Sequence, residues 1–293
     1  MIMTKSYEVA DHVFSFRFPD GHPLPGKLGQ YAPFGVSAAA DPAFTVEIVG
    51  NVPEMPSEKV YGGGGEPGET VVNLYRGDGC WAFDIAPSAG HPVSGRAVCD
   101  SSFTRAGLQI CNPALDLFAL NNTAMLMYAF RTAAEGTLAV HASVIENGGR
   151  AFLWMAKSGT GKSTHSRLWL ENVPGSSLLN DDNPVVRVKP DGGVEVYGTP
   201  WSGKTPCYRN AHFPAGAFVR IVRSPGNRME RMDALEAYAL LYSSSSGFKG
   251  DRAMADGLHS TFEKIVGSVP CYSLFCRPDR EAALVSSSEL LKP

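Results

Sequence analysis

Large apolar residues alternate with smaller or polar ones at Val13-Phe14-Ser15-Phe16-Arg17-Phe18 and at Phe44-Thr45-Val46-Glu47-Ile48-Val49. A period of two predicts strands that bury one face. Val71 to Tyr75 and Cys80 to Ile85 flank Arg76-Gly77-Asp78-Gly79, a hairpin turn signal. Gly and Pro punctuate the intervals at Pro23, Pro25, Pro53, Pro56 and Gly62 to Gly65. The first hundred or so residues therefore read as an antiparallel sheet region. The period then changes. Leu115, Phe118, Ala119, Met125, Tyr128 and Ala129 keep helical spacing behind Asn112, a fitting N-cap, and Pro113, a fitting first residue, with Gly136 as the stop.

Beyond that helix the pattern predicts a strand over Leu138 to Ile145, a turn at Glu146-Asn147-Gly148-Gly149, and a return strand over Ala151 to Met155. A helix over Lys162 to Glu171, with Leu168 and Leu170 apolar, precedes a strand at Ser177 to Asn180 that ends in Asp181-Asp182. A second hairpin pairs Val185 to Val188 with Val194 to Tyr197 across Pro190-Asp191-Gly192-Gly193. Later helices are expected at Asp233 to Leu241, at Asp251 to Val266 and after Asp279. The expected organisation is a β-rich region over 1–137, ending in a helix, and a second domain over 138–293. The class is mixed α/β, and the halves are expected to pack together, the first forming one wall of the site where it shapes or presents the acceptor.

Chemistry enters between the first return strand and the helix. Ala156-Lys157-Ser158-Gly159-Thr160-Gly161-Lys162-Ser163-Thr164 is a P-loop in the strand-before, helix-after setting the motif needs. Its glycines let backbone N–H groups turn inward around oxyanions, and the helix N-terminus adds its dipole. Lys162 supplies charge for the β- and γ-phosphates, and the Ser163 hydroxyl suits Mg²⁺. Ala156 replaces the usual first glycine, which a negative φ tolerates. Asp181 and Asp182 sit one strand-helix-strand step later, where one carboxylate can hold the metal and the other can take a proton from an attacking hydroxyl. Alone, such a pair would read as a turn.

Other candidates are less decided. His141 reads equally as a core histidine or a site residue. Glu195 faces a metal or only lines a hairpin. Tyr197-Gly198-Thr199-Pro200-Trp201-Ser202-Gly203-Lys204 reads as a shaped loop, with Lys204 reaching phosphate or substrate, or as a structural turn with Trp201 in the core. Arg209, Arg220 and Arg223 are candidates for a charge clamp. Gly63-Gly64-Gly65-Glu66-Pro67-Gly68 fits G-x-G-x-x-G on paper, but a strand-like run follows it and it contains proline, so it reads as a loop.

Bulk properties narrow the partners. The 293 residues are 44% hydrophobic and 19% charged, with net charge −3, the make-up of a globular protein without a basic face for nucleic acid. No apolar run is long enough for a membrane span and no secretory h-region opens the chain, so a cytoplasmic protein is expected. The cysteines, 80, 99, 111, 207, 271 and 276, form no Cys-x-x-Cys pair and read as reduced, mostly buried thiols.

With His141, Ser158 to Ser163 and Asp181-Asp182 in that order and hairpins on either side, the chain resembles the catalytic domain of HPr kinase/phosphorylase, in the phosphoenolpyruvate-carboxykinase-like superfamily. Leu-His-Ala-Ser, Gly-Lys-Ser-Thr-His, Leu-Asn-Asp-Asp and Gly-Thr-Pro-Trp-Ser-Gly-Lys bring it nearer to HPr-kinase-related proteins of bacterial peptide-modification clusters. The resemblance implies that Ser158, Gly159, Thr160, Gly161, Lys162, Ser163 and Thr164 hold ATP phosphates. It also implies that Ser163, Asp181 and Asp182 serve Mg²⁺, that one aspartate is the base, and that His141 lies near the transferred phosphoryl. Glu195 falls where the family carries a glutamate, in different surroundings, and the N-terminal region does not imply HPr as substrate. The implied activity is an ATP-dependent kinase acting on a hydroxyl, either a peptide or protein serine or a small molecule such as serine. The alternative is a non-catalytic ATP-binding regulatory module. A hydrolase ranks last for want of a water-positioning Gln or an Arg finger. Oligomeric state stays open.

Overall fold

The computed structural model describes residues 2–37, 41–64, 69–203 and 205–292. Lys204 and most of the glycine-rich 63–68 stretch lie outside them. The chain divides into two compact units, Met1–Arg131 and Thr132–Pro293. With large sheets of mixed strand direction and flanking helices, the class is mixed α/β.

In the first unit the strands are β1 (Ile2–Val9), β2 (His12–Pro19), β3 (Gly35–Val36), β4 (Phe44–Val49), β5 (Glu58–Gly63), β6 (Val71–Gly77), β7 (Cys80–Ala86), β8 (Gly95–Asp100) and β9 (Arg105–Ile110). Among the described residues they form one nine-stranded sheet in the order β3-β1-β2-β4-β9-β8-β7-β6-β5. The region is mostly antiparallel as expected, except that β4 runs parallel to both β2 and β9. The alternating residues Phe14, Phe16 and Phe18 are wholly buried, with Phe44 stacked on Phe14. Helix α1 (Asp116–Thr132) lays Tyr128 edge-on to Phe14 and Phe44. Asn112 caps the turn ahead of it by accepting from the Ala114 N–H. The polar run Thr4-Lys5-Ser6 gave no strand signal, yet β1 pairs with β2 along its whole length.

The second unit contains β10 (Thr137–Ala139), β11 (Ala142–Asn147), β12 (Arg150–Met155), α2 (Lys162–Asn172), β13 (Ser177–Asp182), β14 (Val185–Val188), β15 (Val194–Tyr197), β16 (His212–Arg223) and β17 (Arg228–Arg231). After these come α3 (Ala234–Ser244), α4 (Arg252–Ser268), β18 (Cys271–Cys276) and α5 (Arg280–Leu290). The sheet runs β10-β14-β15-β16-β12-β11-β13, with β18 beside β16 and β17 beside β18. Both expected hairpins form. The central strand β16 gave no signal, because Pro214 and Gly216 interrupt its pattern; it pairs in parallel with β12 and with β18. The P-loop strand thus has an antiparallel neighbour on one side and a parallel one on the other.

Two local expectations are corrected. The segment Leu138 to Ile145 is not one strand. It breaks at Val140–His141, where Val140 N–H donates to Pro184 O (3.1 Å) and His141 N–H to Ser244 O (2.8 Å), so β10 and β11 take different partners. On α2, Leu170 faces solvent; the buried face is His165, Leu168 and Trp169. That face joins Phe152, Trp154, Val219, Leu274 and the Ala282–Ala283 side of α5 in one core, which fixes α2 against the sheet. Asp233, Asp251 and Asp279 each cap the helix that follows by accepting a backbone N–H. Among the described residues no helix is long and apolar enough to cross a membrane. The cysteines are free thiols; Cys99, Cys271 and Cys276 are buried, Cys80 and Cys207 half-buried, and Cys111 exposed.

Candidate functional site

The phosphate loop leaves β12 at Ala156 and enters α2 through Gly161. Gly159 (φ 71°) and Gly161 (φ 130°) adopt backbone that side chains rarely tolerate, and a Cβ built on either meets nothing within 4 Å. The positive φ alone therefore explains glycine at both positions. His165 is the first N–H to donate into the helix, to Gly161 O at 2.9 Å. The N–H groups of the preceding turn have no intrahelical acceptor and carry the positive end of the dipole.

Lys162 is buried, and its Nζ lies 2.7 Å from His141 Nε2 and 3.1 Å from Ala156 O. An ammonium only donates, so Nε2 accepts and the ring proton belongs on Nδ1. Nδ1 lies 3.0 Å from Asp182 Oδ1. Burial pulls the Lys162 ammonium below the ordinary lysine range, and Asp182 and then Asp181 oppose that shift. The break at Val140–His141 places this ring: the histidine stands at the step between β10 and β11, beside the Asp182 end of β13.

The two aspartates have different surroundings. Strand register sets Asp181 opposite Ser143. Ser143 Oγ donates to Asp181 Oδ1 at 2.6 Å and lies 2.5 Å from Ser166 Oγ. Ser143 has one proton and gives it to the carboxylate, so Ser166 donates to Ser143. The chain Ser166–Ser143–Asp181 is buried and ties the P-loop helix to the acidic strand. Asp182 is a third exposed at its side chain, and its Oδ2 accepts from Asn183 Nδ2 at 2.8 Å. Among the described residues no three His, Cys, Asp or Glu side chains gather as a metal cluster. A magnesium ion would instead be held by Ser163, the aspartates and the nucleotide's own oxygens, the sparse protein ligation that Mg²⁺ accepts.

The Gly-Thr-Pro-Trp stretch braces this pair. Asn180 Oδ1 accepts from the N–H groups of Asp182 and Asn183, both at 3.0 Å, and its Nδ2 donates to Thr199 Oγ1 at 3.1 Å. Thr199 Oγ1 in turn donates to Asn183 O at 2.7 Å. A Cβ on Gly203 would come within 2.9 Å of Asp181 O, so only glycine lets the loop lie this close. Trp201 is buried. Asn180 and Ser143 went unread in the sequence because their roles depend on strand register.

The arginine candidates separate. Arg209 donates to Ser177 Oγ and Leu178 O, and Arg220 to Ser273 Oγ with Glu236 nearby, so both brace the fold. Arg223 donates to Gly159 O (2.5 Å) and Thr160 O (3.3 Å) of the phosphate loop itself. Glu195 pairs with His212 at 3.2 Å. Beside the loop a cleft of about 360 Å³ is walled by Thr164, His165 and Leu168 of α2, Ile221 and Arg223 of β16, Cys276 at the end of β18 and Pro278 beyond it. Leu168, Ile221, Cys276 and Pro278 make part of its wall apolar, beside the polar Thr164 and Arg223. The wall residue His165 is buried, with Nε2 3.1 Å from Ser286 Oγ and its ring 4.4 Å from Trp154. Burial depresses its pKa to about 3, so the ring is neutral.

No protein-family model matches the chain, and no curated protein does. Among solved structures it is similar to the HPr(Ser) kinase/phosphatase from Coxiella burnetii at 11% identity and a TM-score of 0.31, over 51% of this chain and 86% of that one. A likeness at that level supports no statement about activity.

Proposed function

We propose that the second unit binds Mg·ATP and transfers its γ-phosphoryl group to a hydroxyl, on a peptide or protein serine or on a small molecule such as serine. The observation that carries the reading is the contact chain Lys162–His141–Asp182 at the lip of the phosphate loop. A loop that only bound nucleotide would need the lysine and the helix N-terminus. It would not need a carboxylate a third exposed and held by a histidine of defined tautomer.

Each residue has a part. The loop N–H groups and Lys162 hold the β- and γ-phosphates. Asp181, buried and fixed by Ser143, is the metal-side carboxylate. Asp182, open to solvent, takes the proton of the acceptor hydroxyl as its oxygen bonds to γ-phosphorus and the β,γ-bridging oxygen leaves with ADP. His141 keeps Asp182 oriented by donating from Nδ1. Bound magnesium would offset charge on the β- and γ-oxygens.

The test is direct. Calorimetry with Mg·ATP establishes binding, and γ-labelled ATP incubated with serine peptides and free serine establishes transfer. Binding without transfer to any hydroxyl would leave a regulatory module; absence of binding would end the reading.

A further inference from the structure

Arg223 is the last residue of β16, the strand parallel to the P-loop strand, so its side chain starts beside the loop. Its guanidinium spans two successive loop carbonyls, Nη2 on Gly159 O at 2.5 Å and Nε on Thr160 O at 3.3 Å. Among the described residues no carboxylate pairs with it. By contrast Arg277, on the same cleft, is neutralised by Asp279 (2.9 Å) and Glu281 (3.0 Å).

In a trans peptide the N–H points opposite to the C=O. Holding Thr160 O outward therefore turns the Gly161 N–H away from Arg223, into the loop. The Thr160 N–H is already spent on Lys157 O at 3.2 Å, so the peptide whose orientation remains to be fixed is the one Arg223 holds. Gly161, at φ 130°, has the backbone freedom to turn that peptide over. A planar fork with several donors can grip two carbonyls at once; an ammonium cannot fix both with the same geometry.

We infer that Arg223 is the positioning residue of the phosphate loop: its fork locks the 159–161 peptides with the Gly161 N–H turned inward, and its unpaired charge adds to the field on the bound phosphates. This rests on the nucleotide-binding reading above.

Two measurements separate the proposal from that reading. Hydrogen exchange without ligand follows the amides of residues 157–162; Arg223→Ala should speed exchange there and leave the rest of the unit unchanged. Calorimetry then compares Mg·ATP with Mg·tripolyphosphate. Arg223→Ala should weaken both by about 10- to 100-fold, the size of a charge-assisted contact. Arg223→Lys should recover only part of that loss, and Arg277→Ala should leave tripolyphosphate within about threefold, being already paired. Wild-type affinity in Arg223→Lys, an equal loss in Arg277→Ala, a loss confined to ATP, or unchanged loop exchange in Arg223→Ala would each overturn the positioning role. If wild-type protein binds neither ligand, the nucleotide reading fails on its own, and the exchange measurement still decides whether Arg223 orders the loop.

Discussion

The Lys162 ammonium lies 2.7 Å from His141 Nε2, and that contact decides which ring nitrogen of the histidine carries its proton. With Nε2 accepting, Nδ1–H faces Asp182, and the lysine that opens α2 becomes coupled to a carboxylate at the end of β13 through one imidazole. The relationship gives Lys162 and Asp182 distinguishable failures when each is replaced.

Lys162→Ala removes the cation that the proposed function sets against the β- and γ-phosphates, and a donor to Ala156 O. Mg·ATP affinity should fall by about 10- to 100-fold. Calorimetry against wild type reads it; an unchanged Kd would remove Lys162 from the phosphate site.

Asp182→Asn keeps shape and loses basicity. Transfer should fall by about 10²–10⁴-fold while nucleotide affinity changes little. Asp181→Asn should instead raise the magnesium concentration needed for half-maximal rate. Single-turnover assays across a magnesium series separate the two, and identical profiles for both variants would refute the division of labour.

Ser143→Ala strips the buried Asp181 carboxylate of its hydroxyl donor and leaves Ser166 without an acceptor. The expected cost is about 1–3 kcal/mol in denaturant unfolding of the second unit. No loss of stability would mean that another donor serves Asp181.

His165 makes stability depend on pH. Its folded pKa, about 3, lies below the ordinary 6.5, so the unfolded chain takes up the proton first as pH falls. The contribution is complete above about pH 6.5 and is lost progressively between there and pH 3. From pH 7 to pH 5 it amounts to about 2 kcal/mol. His165→Phe keeps a ring against Trp154 and cannot titrate. Its unfolding free energy should therefore fall by that much less over the same interval, and parallel pH dependences would contradict the assignment.

Much of the candidate site could be read without coordinates because its signals are local. A glycine-rich run between an apolar strand and a helix prescribes a tight strand-to-helix loop, because glycine reaches the positive φ of positions 159 and 161. Asp-capped helices and Gly-rich hairpins obey nearest-neighbour rules in the same way, and α3, α4 and α5 start where Asp233, Asp251 and Asp279 said they would. Strands β1, β3, β5, β8, β9, β16, β17 and β18 did not announce themselves; in β1 the run Thr4-Lys5-Ser6 breaks the apolar pattern, and β16 contains Pro214 and Gly216.

The sequence by itself determined the P-loop, the acidic pair and the hairpins on either side, since each is set by a few adjacent residues. Only the tertiary structure decided that Asp181 is buried under Ser143 and Ser166 while Asp182 is open and bonded to His141. It alone sorted three arginines into two that brace the fold and one on the phosphate loop. The physical reason is register. Neighbouring residues on a strand point to opposite faces, and which partner each meets depends on how β11 and β13 align and on where β16 ends. Those alignments arise from pairing and burial across residues far apart in the chain, so no local pattern encodes them.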